Sequence, residues 1–278
     1  MRRGAARFVA QLAASVHIGS PSMFKKIRIA ILLYVLFMVA VGTWLTRVRS
    51  TDWNNSLWVK IYPINGDGSA VSTDYISKLD RDTFAGIESF VAREVDRYGQ
   101  DLSRPVRIEL GNPIHEQPPA IDSGGNPLEV MLWSFRMRLW VWNVTDGRDR
   151  VSPDVRMFVR YHSRETNLLL DDSVGVQKGM FGIVNAYASR RLQGRNNVVI
   201  AHEFLHTLGA SDKYDLATGM PLAPHGFAEP DRVPLYPQKK AEIMGGRVPL
   251  SANDAVTPKS LDYAMIGPAT AREIRLLD

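Results

Sequence analysis

The residues of this chain best equipped for chemistry lie in one run, Ala201-His202-Glu203-Phe204-Leu205-His206-Thr207-Leu208-Gly209-Ala210-Ser211-Asp212. Two histidines four apart share one face of any helix that carries them, because a turn takes about 3.6 residues. A glutamate directly after the first histidine lies beside the space between the two imidazoles. In this H-E-x-x-H arrangement the histidines hold zinc and the glutamate acts on the water that the metal activates. Gly209 lets the helix stop. Asp212, six residues beyond His206, sits where the returning chain can supply a third ligand.

Such a site needs a rigid helix with one side packed and one side open. Asn196 or Asn197 is the expected cap of a helix running to about Gly209. On it Val198, Ala201, Leu205 and Leu208 form a stripe suited to packing on a sheet, while His202 and His206 fall on a separate face. Upstream, Leu57–Ile64 alternates and reads as a strand that ends in Asn65-Gly66-Asp67-Gly68. Phe84, Ile87, Phe90, Val91 and Val95 recur at helical spacing between Leu79 and Tyr98. Val106–Leu110 is a second strand, and Asn112 to Pro127 is a loop rich in Pro and Gly, with His115 as a surface residue. Met131–Trp142 fits a strand or a helix. Asp154–Tyr161 alternates cleanly, and Gly179–Ala188 reads as a strand just before the metal helix. Residues 216–240 form a long loop beside the cleft, and Pro268–Leu277 a closing helix. This order predicts one α/β (α+β) layered domain over 51–278, with a mixed, mostly parallel sheet and no internal repeat.

Composition narrows the chemistry. The 278 residues are 45% hydrophobic and include no cysteine, so disulfides and thiolate metal sites are excluded. Imidazole, carboxylate and water remain as ligands. The net charge of +5 is unevenly spread. Eight of the 34 basic residues lie in positions 1–50, which contain no acidic residue; the rest of the chain holds 26 basic against 29 acidic side chains. The basic excess therefore belongs to a membrane-proximal segment, and nucleic acid is not the expected partner. From Ile29 to Thr46 there are 18 consecutive uncharged residues, near the lower end of the roughly 17–25 that span a bilayer. Residues 1–28 are a basic leader, with Met23 an alternative start. The charge asymmetry predicts a cytoplasmic N-terminus, a signal-anchor over 29–46 and an exported domain. Cleavage near Ala40-Val41-Gly42, giving a secreted protein, is the alternative.

The run His202-Glu203-x-x-His206-x-x-Gly209-x-x-Asp212 resembles the extended zinc signature of metzincin-type metallopeptidases, in the variant with aspartate as the third ligand. With Lys213-Tyr214-Asp215 it is also similar to the corresponding run of immune inhibitor A-like peptidases. Glu242-Ile243-Met244-Gly245-Gly246 is similar to the methionine turn beneath the zinc in these enzymes, 32 residues from Asp212 to Met244. The motifs cover about residues 197–246. The resemblance implies a zincin-like domain that hydrolyses polypeptides with one zinc ion held by His202, His206 and Asp212, and with Glu203 as general base. His225 and Glu229 compete with Asp212 as third ligand, although the prolines around Glu229 disfavour the helix such a glutamate usually occupies. Tyr214 either donates a hydrogen bond to the tetrahedral oxyanion or packs; Asp215 caps a turn or orients a histidine. Gly182, Ile183 and Asn185 belong to the strand that, by the same resemblance, pairs with an extended substrate. An exported binding module with a non-catalytic zinc and a zinc amidase with non-peptide substrates are the alternatives.

Overall fold

In a computed structural model, residues 21–50, 53–120, 127–145, 152–167, 170, 173–176 and 180–277 are described. The chain divides into two compact units, Met1–Thr46 and Arg47–Asp278. Helix α1 (Pro21–Ser50) contains the expected 29–46 segment, and its residues from Ile29 to Met38 are exposed. Among the described residues no helix is long and apolar enough to cross a membrane, so the anchor rests on the sequence alone.

The second unit is built on β1 (Leu57–Asn65), β2 (Val106–Leu110), β3 (Val155–His162), β4 (Val174–Val176) and β5 (Phe181–Tyr187), which form one five-stranded sheet in the order β2-β1-β3-β5-β4. The first four strands in that order are parallel; β4 runs antiparallel at the edge beside β5. The sheet is therefore mixed and mostly parallel, as expected. Its helices are α2 (Ala70–Ser77), α3 (Ala85–Arg97), α4 (Pro127–Thr145), α5 (Gln193–Leu208) and α6 (Pro268–Glu273).

Strand alternation divides the interior in two. Leu57, Val59 and Ile61 of β1, with Val155, Met157 and Val159 of β3, face the core that also takes Ile87, Phe90, Val91 and Val95 of α3 and the apolar stripe of α5. Tyr62, Ile64 and Phe158 face the opposite side, where they meet Met137, Trp140 and Val144 of α4. Trp140 packs edge-on against Phe158 with centroids 4.8 Å apart. The ambiguous 131–142 segment is thus a helix. Its inner side is buried, while Met131, Leu132, Phe135, Leu139 and Trp142 are exposed on the outer side. Being apolar all round, it has no periodic signal to separate helix from strand.

Two local expectations differ. Helix α5 begins at Gln193, after a 3₁₀ turn over Arg190–Leu192, so Asn196 and Asn197 lie inside it rather than at its cap. Both are buried cross-links. The Asn196 side chain accepts from the Tyr187 N–H and donates to the Tyr187 carbonyl, at 3.1 and 2.9 Å, while Asn197 donates to Thr83 O at 3.0 Å. The closing helix stops at Glu273, short of Leu277; Arg275 has a φ of 58°. Positive φ in a non-glycine residue ends regular helix.

Candidate metal centre and cleft

Helix α5 places the site. Val198, Ala201, Leu205 and Leu208 are 0–4% exposed in the sheet-facing core, so the packed side is the one expected. Burying a Leu or Val side chain contributes about 1.5–3 kcal/mol, which fixes the rotation of the helix about its axis. His202 and His206 then project from the other side, with only 12% and 17% of their side chains exposed.

Two turns supply what the imidazoles need. At Gly209 the chain enters the left-handed region with φ 107°, a conformation that a Cβ disfavours. The reversal brings the Ala210 carbonyl to 2.8 Å from His206 Nδ1. The 3₁₀ turn Ile243–Gly245 brings the Ile243 carbonyl to 2.9 Å from His202 Nδ1. A carbonyl only accepts, so each Nδ1 carries a proton and each ring turns its Nε2 towards the other. Met244 is fully buried in that turn, and its carbonyl accepts from the Lys213 N–H at 2.9 Å.

Three atoms converge. His202 Nε2 and His206 Nε2 are 3.0 Å apart, and Asp212 Oδ1 lies 3.1 Å from each. Ligands in a tetrahedral zinc site at about 2.0–2.1 Å from the metal stand about 3.3 Å from one another. The triangle therefore matches to within a few tenths of an ångström. Two imidazole nitrogens and a carboxylate held this close need a cation or proton among them, and an N,N,O set suits zinc, copper, iron or nickel. Burial alone raises the Asp212 pKa, but hydrogen bonds from His202 and His206 outweigh it and hold the carboxyl well below its ordinary range. His206 moves the other way: burial disfavours its charged form, yet Asp212, Glu203 and the Ala210 carbonyl raise its pKa overall.

Glu203 is 5% exposed, and its Oε2 is buried without a hydrogen-bond partner among the described residues. An orphaned carboxylate oxygen costs about 1–3 kcal/mol or more. Its oxygen also lies within 4.8 Å of the imidazole nitrogens. We place Asp212, whose Oδ1 is 3.1 Å from the Nε2 of both rings, at the third corner of the triangle, with Glu203 beside it. Burial pushes the Glu203 pKa up, against the opposing pull of His202, His206 and the Gly175 amide.

The competing ligands stand elsewhere. His225 is exposed, and Glu229 accepts from the Lys239 N–H at 3.1 Å and pairs with Arg232 at 3.5 Å. His115 is likewise exposed. Asp215 closes a turn, accepting from the N–H groups of Ala217 and Thr218 at 3.1 and 2.8 Å. Tyr214 lines the cleft with its ring centroid 6.3 Å from that of His202.

The substrate strand is corrected. β5, with Gly182, Ile183 and Asn185, is interior: β3 pairs with one side, and Val174, Gly175 and Val176 of β4 occupy the other. Gly182 lies under Glu203, where a Cβ would stand 3.8 Å from the glutamate Cβ. Ile183 packs with the second core, and Asn185 N–H donates to Ser173 Oγ at 3.0 Å while its side chain meets the cleft. The sheet edge beside the metal helix is β4. A Cβ on Gly175 would fall 2.5 Å from both Glu203 O and His206 Cβ, so only glycine lets this strand sit against α5. A three-residue strand has too little pattern to be seen in sequence. The carbonyls of Ala210 and Ile243 carry no side-chain signal at all. The cleft has a volume of about 570 Å³, within the range of about 300–1,000 Å³ usual for ligand sites.

No family model and no curated protein matches the chain. A solved structure described as that of a chaperone-substrate complex aligns with 80% of this chain and 34% of its own, at 13% identity and a TM-score of 0.38. This chain thus spans about a third of that one, and likeness at that level carries no argument about fold or function.

Proposed function

We propose that the chain is a zinc-dependent endopeptidase. The observation that carries this reading is the meeting of two imidazole nitrogens and a carboxylate oxygen, 3.0–3.1 Å apart, beside a buried Glu203 whose Oε2 has no hydrogen-bond partner among the described residues, at the wall of a cleft. A binding module with a structural metal has no use for that orphaned oxygen, and its cost disfavours the rival. His202, His206 and Asp212 would hold the ion. Zinc, when bound, supplies Lewis acidity for a carbonyl and lowers the pKa of water.

The chain's own residues do the rest. Water adds to the scissile carbonyl carbon, and Glu203 takes the proton that this addition releases. Its raised pKa suits that task, because the acceptor must become an acid in the next step. The C–N bond then breaks as Glu203 delivers the proton to the departing amine. Tyr214 faces the cleft and donates a hydrogen bond to the developing oxyanion. The edge of β4 offers main-chain groups for pairing with an extended peptide. Membrane anchoring through residues 29–46 belongs to the same proposal and rests on their uncharged run and basic flanks.

The test is metal analysis together with cleavage of casein and a peptide library by the zinc-loaded full chain and Glu203→Gln. About one zinc per chain and turnover reduced by several orders of magnitude in the variant are expected. Zinc binding with equal turnover in both proteins sinks the peptidase reading. Turnover of cell-wall amides but not peptides moves the chain to the amidase alternative.

A further inference from the structure

The cleft holding His202, Glu203 and Tyr214 also reaches Arg247. Among its described lining residues, Arg247 is the one charged side chain outside the metal cluster. Its main chain is fixed, since Arg247 N–H donates to Gly245 O at 2.9 Å and Gly245 N–H in turn donates to Glu242 Oε2 at 2.8 Å. The side chain then crosses to the opposite turn, which Asp215 closes. A Cβ on Gly219 there would stand 3.2 Å from Arg247 Cζ and Nη2. A bare glycine face thus leaves the guanidinium room between the two walls.

Among the described residues no carboxylate pairs with this guanidinium and no hydrogen bond holds it, although the neighbouring Asp215 carboxylate is committed to its own turn. Arginine stays charged at any physiological pH and presents a planar fork matched to a carboxylate. A permanent cation on the wall of a cleft, exposed to incoming ligands, favours anionic ones.

Resting on the peptidase reading, we propose that Arg247 is the specificity-determining residue of this cleft and that it receives a carboxylate of the substrate. The substrate class is then peptides with an acidic side chain near the cleaved bond, or with a free C-terminus close to it. Both sources present the same group, and the experiment separates them.

The zinc-loaded full chain is assayed on peptides matched as Glu against Gln at each position around the cleaved bond, and as C-terminal acid against amide. A charge-assisted hydrogen bond corresponds to a preference of about tenfold or more in kcat/KM for the acidic partner at one position. Arg247→Gln brings that ratio to about one, Arg247→Lys leaves an intermediate value, and Arg247→Glu shifts preference towards Lys. A ratio confined to acid against amide assigns the C-terminal carboxylate; one confined to Glu against Gln assigns the side chain. The same peptides are titrated into Glu203→Gln by fluorescence anisotropy. If nothing is cleaved but acidic peptides bind in an Arg247-dependent way, the peptidase reading falls and this inference stands. If peptides are cleaved while every ratio stays within twofold, or a preference persists in Arg247→Gln, the inference is overturned and the peptidase reading remains. Absence of both cleavage and acidic preference in binding overturns both.

Discussion

Replacing Glu273 tests whether the third corner of the metal triangle is held from the C-terminal helix. Glu273 Oε2 accepts from Lys213 Nζ at 2.7 Å and from Ser211 N–H at 2.9 Å, and Oε1 accepts from Ser211 Oγ at 2.6 Å. These partners flank Asp212 on both sides. Lys213 is only 6% exposed, and its main-chain N–H is tied to Met244 O, so the ammonium cannot simply move into water. Removing one partner of a fully buried pair costs about 3–5 kcal/mol. The Glu273 side chain is 33% exposed, so solvent reduces the loss, and we expect about 2–3 kcal/mol for Glu273→Ala. For a unit of this size that lowers the melting midpoint by roughly 4–12 °C, at about 2–4 °C per kcal/mol. Loosening the residues beside Asp212 also weakens zinc binding, by about tenfold, as loss of a ligand's supporting partner does.

The assay is thermal melting of the full chain with and without zinc, with zinc affinity measured by competition against a chromophoric chelator. Glu273→Gln, which keeps an acceptor for Ser211 but loses the charge, falls between Ala and wild type. The pH dependence gives a second readout. Burial alone raises the Glu273 pKa, but Lys213 and Ser211 outweigh it and lower it. A depressed carboxylate adds stability above its unfolded value of about 4.5 and loses it as pH falls through the lower folded value. Glu273→Gln should therefore show less acid sensitivity below about pH 4.5 than wild type. If Glu273→Ala melts within about 1 °C of wild type and binds zinc as tightly, the clamp does not position the ligand loop and the reasoning fails.

Four further outcomes follow from the same geometry. Asp212→Ala should lower zinc affinity at least tenfold while His225→Ala leaves it unchanged, because Asp212 Oδ1 lies 3.1 Å from both imidazoles and His225 is exposed away from them; the reverse pattern in a chelator titration exchanges the ligands. Gly175→Val should force β4 away from α5, reducing zinc affinity and peptide turnover together, since its Cβ has no room at 2.5 Å from Glu203 O; unchanged kinetics would remove β4 from the site. Leu205→Ala should cost about 2–5 kcal/mol in denaturant unfolding without altering the metal stoichiometry of the folded fraction. At Asp67, burial would raise the pKa, but the N–H groups of Ser163 and Ser69 lower it well below the ordinary range. Its stabilising contribution is present above about pH 3.9 and lost on further acidification, so Asp67→Asn should flatten the acid limb of the stability curve.

What the sequence made visible was local and periodic. The two histidines four apart, the stripe Val198-Ala201-Leu205-Leu208 and the glycine stop at Gly209 all lie within one helix and its exit, so their geometry follows from helical pitch. The strands β1 and β3 are legible because their residues alternate and turn residues bound β1. The misplaced features depend on residues far apart in the chain. Asn196 and Asn197 looked like caps because a short polar side chain beside a helix usually is one; here their partners are Tyr187 and Thr83, brought close only by folding. The strand that pairs with β5 on its far side is invisible in sequence because nothing in Val174-Gly175-Val176 announces it. Lys213 and Glu273 are 60 residues apart, with no pattern connecting them.

The centre sets local cost against distant support. Two imidazole nitrogens and a carboxylate crowd to 3.0–3.1 Å, and Glu203 keeps a buried oxygen unpaired, so this spot carries a local cost. The offset comes from elsewhere: the α5 stripe in the main core, Glu273 on the ligand loop, and Glu242 in the turn under His202. Glu242 is fully buried and accepts from Gly245 N–H at 2.8 Å, Gly267 N–H at 2.9 Å and Thr270 Oγ1 at 2.7 Å, tying that turn to the start of α6. Helix α6 therefore holds both the turn that aims His202 and the loop that carries Asp212. Without it, the spacing of H-E-x-x-H would still place two histidines on one face, but neither the Ile243 carbonyl nor the third ligand would be fixed against them. The motif places the two histidines, and the C-terminal helix holds the groups that face them.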